Sequence, residues 1–298
     1  MLRALSSELA LGGVGWWSLD PGPLIPVIAG AVGYGLRARA LARHGRPVPP
    51  ARIAWFAIGI VLLLVALVSP LDRLGEERVF YLHMAQHLLL ADLAPLAIVL
   101  GLDGPLLRPL LALSPIRRLR GLGHPLVALP LWAVDLWAWH TPPLYQATLA
   151  HAGVHALEHS LFFVTGALAW AAVVEPLPGP AWLGAAWKAA YVLVMRVVSG
   201  MLATVLIFSG HAFYPDYATG ERLWGISALT DQRIGGGLML VEGAFVTAVM
   251  FSWLFLRWTR EAELRQQLIE AGHAPAVAAR AARYGRSAIA RSGLGTRA

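Results

Sequence analysis

Cysteine is absent from this 298-residue chain. That removes disulfides, thiolate metal sites and a cysteine nucleophile together, so any soft-metal chemistry has to use His, Met or carboxylate. Charge is scarce as well: Asp, Glu, Lys and Arg make up 14% of the residues, and a soluble domain of this length needs far more to cover its surface. What the chain has instead is apolar side chains, 57% of the total, enough for several spans of roughly 20 residues each. The net charge of +7 then reads as a topology signal, and no nucleic-acid partner is needed to explain it. Residues 1–20 lack a basic start followed by a clear apolar run and a small-residue cleavage site, so no cleavable signal peptide is expected.

Seven apolar segments stand out, at about 23–41, 52–69, 79–100, 125–140, 156–174, 187–209 and 234–257. In lipid the backbone must satisfy its own hydrogen bonds, so the expected architecture is all-α: a polytopic membrane helix bundle of about seven transmembrane helices. Of the 24 basic residues, 18 fall in the connections after spans one, three, five and seven, five fall on the other side, and Arg196 lies inside span six. The positive-inside rule makes the richer side cytoplasmic, with the N-terminus outside and the C-terminus cytoplasmic. Residues 1–258 form the expected membrane domain. The Ala/Arg-rich stretch 259–298 is expected to be a basic cytoplasmic tail, continuing span seven as a surface helix against anionic membrane lipid.

Of the ten histidines, His44, His124 and His273 fall on the cytoplasmic side of this topology. The other seven, His83, His87, His140, His151, His155, His159 and His211, all fall on the outer side, although only Arg and Lys were used to draw it. His83 and His87 are i, i+4, and so are His155 and His159, with His151 one turn earlier. On a helix such pairs share one face, about 6 Å apart along the axis. A single imidazole near a helix end is ordinarily an interfacial hydrogen-bonder, but two such pairs on one side of the membrane offer up to four nitrogens to one ion. Imidazole suits copper, zinc, iron and nickel, and Met84 or Met201 could add a thioether for Cu(I). The segment His155-Ala156-Leu157-Glu158-His159 also matches H-x-x-E-H, in which the Glu is the base of a zinc hydrolase; Glu158 can equally orient an imidazole. A haem protein is the third alternative, though pairs near the surface suit a small ion better.

Four charges lie at membrane depth: Asp92, Asp135, Arg196 and Glu242. They should face the bundle interior and pair, Arg196 with Asp92 or Glu242, either as a structural ion pair or as a polar path beneath the metal site. On an ideal helix Asp92 lies about 140° around from His87 and cannot join its coordination sphere, although Pro95 can bend that span.

The strings His83-Met84-Ala85-Gln86-His87, Trp139-His140-Thr141-Pro142-Pro143-Leu144-Tyr145, His155-Ala156-Leu157-Glu158-His159 and Asp231-Gln232-Arg233-Ile234-Gly235-Gly236, in this order, resemble the CtaG family of caa-type cytochrome c oxidase assembly factors. The likeness covers roughly residues 15–258. It implies a seven-span protein of a bacterial plasma membrane that is not an enzyme. It implies haem–copper oxidase subunits as partners and copper, with zinc as the other possibility, held at an extracytoplasmic histidine cluster and delivered to the oxidase. The matching positions are His83, His87, His140, His155 and His159, with Asp231 as a further ligand or a cap; His151 and His211 rest on the topology. The alternative function is a membrane zinc metallohydrolase with Glu158 as base.

Overall fold

A computed structural model of the protein describes residues 17–220 and 225–285. Arg3, Arg222 and the basic residues beyond 285, which entered the charge count, lie outside these. No strand occurs among the described residues. The helices are α1 (Pro21–Arg43), α2 (Pro50–Val68), α3 (Pro70–Glu77), α4 (Phe80–Gly101), α5 (Gly104–Ala112), α6 (Ser114–Arg118), α7 (Pro125–Trp139), α8 (Pro142–Ala150), α9 (Ala152–Val174), α10 (Ala185–Phe208), α11 (Ala228–Glu270) and α12 (Pro275–Tyr284). Many of these starts are written in the sequence, because Pro in the first turn gives up an N–H that has no intrahelical partner anyway. Asp20 caps α1 by accepting from Gly22 N at 2.8 Å, and Asp103 caps α5 through Leu106 N at 3.0 Å.

Six of these helices, α1, α2, α4, α9, α10 and α11, are long and apolar enough to cross a membrane. The seventh expected segment is α7, a 15-residue helix that rises roughly 22 Å against a hydrocarbon core of about 30 Å. The last helix runs well past the expected span end near 257, because no Gly or Pro interrupts the good helix formers before Gly272.

The chain divides into two compact units, residues 1–177 with 195–243, and residues 178–194 with 244–298. In the second unit the Arg283 guanidinium donates to the carbonyls of Leu183 at 2.6 Å and Pro180 at 3.3 Å. Leu268 there packs with Ala278 and Ala281 of α12. The first unit is built around α4 and α9. Two thirds (67%) of the apolar window of α4 is buried inside the protein, against 6% for α1, so α1 turns its apolar side chains outward, as a lipid-facing helix does. Small residues set the close approaches around α4. A side chain at Gly59 of α2 would strike Ile98, and one at Gly101 would strike Phe56. At that same end Tyr34 stacks on Phe56 with centroids 3.8 Å apart.

The middle of α4 departs from a regular helix. Pro95 has no N–H for the Ala91 carbonyl, and Leu89–Leu93 forms one π turn in which the Ala94 N–H bonds Leu89 O. The released Ala91 carbonyl lies against Gly166 of α9, where a Cβ would collide with it. The extra residue absorbed by the π turn reduces the angle between His87 and Asp92 from the ideal-helix value to about 40°. Both line one cavity, while Asp92 stays outside the group formed by His83, His87, Glu158 and His159, as expected.

Candidate metal centre

The histidine-bearing end of the first unit is assembled from the start of α4, the end of α7, all of α8 and the start of α9. The first turn of α4 is held by Asp231 of α11. Its carboxylate accepts from Phe80 N at 2.7 Å and Tyr81 N at 2.9 Å, satisfying two of the free N–H groups that open any helix. Asp231 is therefore a cap, the second of its two expected roles, and it fixes the helix that carries His83 and His87. Gln86, on the same turn, donates to Ala66 O at 3.0 Å and to Asp72 Oδ1 at 2.6 Å.

His83, His87, His159 and Glu158 converge. One ligand atom from each lies within 4.8 Å of all the others, and all four side chains are buried. The Nε2 atoms of His83 and His87 are 2.7 Å apart, and His87 Nε2 lies 3.7 Å from Glu158 Oε2. Tyr217 fixes the far side of His83, its hydroxyl standing 3.2 Å from Nδ1, and Tyr145 OH is 2.8 Å from Tyr217 OH. Such partners set the tautomer and orientation of a ligating imidazole.

The test of whether these residues suit a metal lies in what they leave unpaired. His87 Nδ1, His140 Nε2, His155 Nε2, His159 Nε2 and both Glu158 oxygens are buried without a hydrogen-bond partner. A buried polar atom left unsatisfied costs about 1–3 kcal/mol, so a concentration of them in one place is expensive unless something occupies their lone pairs. Unpartnered imidazole nitrogens around a carboxylate form a nitrogen–oxygen donor set that copper and zinc both accept.

His140 and His155 border this group. The His140 ring is 5.8 Å from that of His87, and its Nδ1 pairs with Leu136 O at 2.7 Å. That bond leaves Nε2 as the lone-pair nitrogen. The His155 ring packs edge-on against that of His159, centroids 3.9 Å apart, and its Nδ1 makes a close contact with the Glu76 carboxylate of α3. His151 and His211 are exposed and stand apart from the cluster. His151 sits at the junction of α8 and α9, and Ser209 donates to the backbone carbonyl of His211 at 2.7 Å. Met84 is buried, whereas Met201 is 57% exposed and does not face the site.

The intramembrane charges pair as expected, with a second partner added. Arg196 Nη1 is 2.5 Å from Asp92 Oδ2 and 3.6 Å from Glu242 Oε2, so it bridges the two acids. Trp170 Nε1 also donates to Asp92 at 2.6 Å. Asp135 ties α7 to α9 by accepting from Trp139 Nε1 at 2.9 Å and Thr165 Oγ1 at 2.8 Å.

Sequence reading missed α3 as part of the site. Asp72 and Glu76, one turn apart on that short helix, stand over the cluster. Burial and the neighbouring Glu76 push the Asp72 carboxyl up to about 6. The i, i+4 acid pair directly before the first histidine pair was the available signal.

Residues 32–261 match the family model of the cytochrome c oxidase caa3 assembly factor, and the chain belongs to that family. It is 23% identical over 248 residues to uncharacterized proteins of Mycobacterium bovis and of Mycobacterium tuberculosis, an overlap of 78% of this chain and 37% of each relative. The chain thus spans little more than a third of the length of these curated relatives. No solved structure matches it.

Proposed function

We propose that this member of the caa3 assembly-factor family binds copper on the extracytoplasmic side of a bacterial plasma membrane and passes it to a subunit of the oxidase. The observation that carries this reading is the convergence of His83, His87, His159 and Glu158, with His159 Nε2 and both Glu158 oxygens buried and unpartnered. Copper is cargo here, not a resident cofactor. His83, His87 and His159 would hold it through imidazole nitrogens, Glu158 would offset its charge, and His140 and His155 stand close enough to take part in loading or release. Zinc fits the same donor set, and the oxidase connection of the family favours copper. The arginine-rich connections assign the opposite end of the bundle to the cytoplasm.

Copper binding to the purified full-length chain tests this. Wild type should take up copper, and His83→Ala/His87→Ala should lose it. Unchanged affinity in the double variant would overturn the assignment. A metallohydrolase is the weaker alternative, because Glu158 itself sits within ligand distance of the imidazoles. As a general base acting on a bound water, Glu158 would be dispensable for metal binding.

A further inference from the structure

We propose that the cavity beside the histidine cluster is a second, softer metal position, a Cu(I) site formed by the thioethers of Met84 and Met239 with the His140 imidazole. This rests on reading the neighbouring cluster as a metal centre, and extends it with a donor set of different chemistry. The cavity has a volume of about 30 Å³ and is lined by Met84, His87, Asp92, His140 and Met239 among apolar neighbours. A water-sized occupant needs about 10–15 Å³, so one ion fits.

Three observations put the donors there. Met84 and Met239 are 1% and 4% exposed, so neither sulfur is spent on solvent or lipid. Both lie on the seam between α4 and α11. Gly235 has no side chain because Phe80 and Met84 occupy the space, a Cβ there falling 3.0 Å from Met84 Cγ. Met239 is one turn further along the same face of α11. The third donor is His140, whose Nδ1 is fixed on Leu136 O, leaving Nε2 buried and unpartnered. Buried methionines usually fill gaps in a core. Two of them beside a free imidazole lone pair in one cavity are instead a sulfur–nitrogen set that selects Cu(I) over Zn(II) and Cu(II). His87 lines this cavity and also belongs to the cluster, so the two positions adjoin through one side chain.

The test is metal titration of the detergent-purified full-length chain. Zn(II) is added in one arm. Cu(I) is added in the other, anaerobically and against a competing chelator, with copper X-ray absorption on the loaded sample. Wild type should bind one more equivalent of Cu(I) than of Zn(II), and its copper spectrum should show sulfur scattering. Met84→Leu/Met239→Leu, which conserves volume, should lose that equivalent and the sulfur signal, a fall of at least 100-fold in affinity there, while Zn(II) binding stays within about two-fold. Only nitrogen and oxygen scattering in Cu(I)-loaded wild type would overturn the proposal, whatever the variants do. So would unchanged Cu(I) binding by the methionine variant. Sulfur scattering without any Zn(II) binding would uphold this site and remove the histidine cluster as a metal centre, so the two readings fail separately.

Discussion

Two buried polar groups lie little more than one turn apart along α4. The Asp92–Arg196–Glu242 group brings its own cation: Arg196 bridges the two acids, and Trp170 takes part of the remaining demand. The histidine group brings none. Its acidic neighbours are Glu158 and Glu76, and His87 Nδ1, His140 Nε2, His155 Nε2 and His159 Nε2 are left unpartnered. Burial is comparable, so depth alone does not separate a structural ion pair from a ligand site. What separates them is whether a cation is supplied from within the group or has to come from outside; unpartnered polar atoms remain in both, Arg196 Nε and Nη2 and Glu242 Oε1 among them.

The largest break in this comparison should come from removing the internal cation. Arg196→Met strands two buried carboxylates and should cost about 3–5 kcal/mol of stability, measured by thermal or denaturant unfolding. Asp92→Asn/Arg196→Met/Glu242→Gln should recover most of that loss. A triple variant no more stable than the single one would show that charge pairing is not the reason.

The histidine group should respond the other way. His83→Ala/His87→Ala should leave the metal-free protein folded but abolish metal-induced stabilisation, which for wild type is about 4 kcal/mol at a thousand-fold excess over Kd. A thermal shift that survives in the double variant would move the site elsewhere. Glu158→Gln keeps shape and removes the anionic donor, so metal affinity should drop about 10-fold or more. Metal binding at wild-type strength with loss of a hydrolytic activity would favour the general-base alternative. The smallest effect is expected from Asp231→Ala, about 1 kcal/mol for the lost cap, with metal affinity falling only a few-fold as the start of α4 loosens.

Much of this was legible in the sequence. Span positions came from apolar length and Pro starts, because lipid leaves helices few alternatives. The two i, i+4 histidine pairs were found by periodicity, and Arg196 by its cost. Periodicity narrowed the seven histidines to His83, His87, His155 and His159, but could not show that Glu158 rather than His155 completes the group. His151 and His211 share a side of the membrane with the others, but the side chains that converge are chosen by how α4 and α9 face each other. Glu158 was visible only as part of a motif, and its place among the imidazoles needed the packing. Glu76 carried only its i, i+4 spacing from Asp72 as a signal, and the place of Met239 beside the site is set across a helix seam. Pro95 was legible as a bend in α4, but the π turn that brings Asp92 to the cavity beside His87 needed the packing.

The π turn at Leu89–Leu93 also constrains how this sequence can change. It acts as a phase setting between two half-helices, one carrying ligands and the other carrying the acid that pairs with Arg196. Deleting one residue there would restore a regular helix and swing His83 and His87 by about 100° relative to Asp92, so one half must leave its partners while the other keeps them. Substitutions along α4 can be absorbed one side chain at a time; a change of length at this turn cannot, and Gly166, which makes room for the displaced Ala91 carbonyl, is tied to the same count.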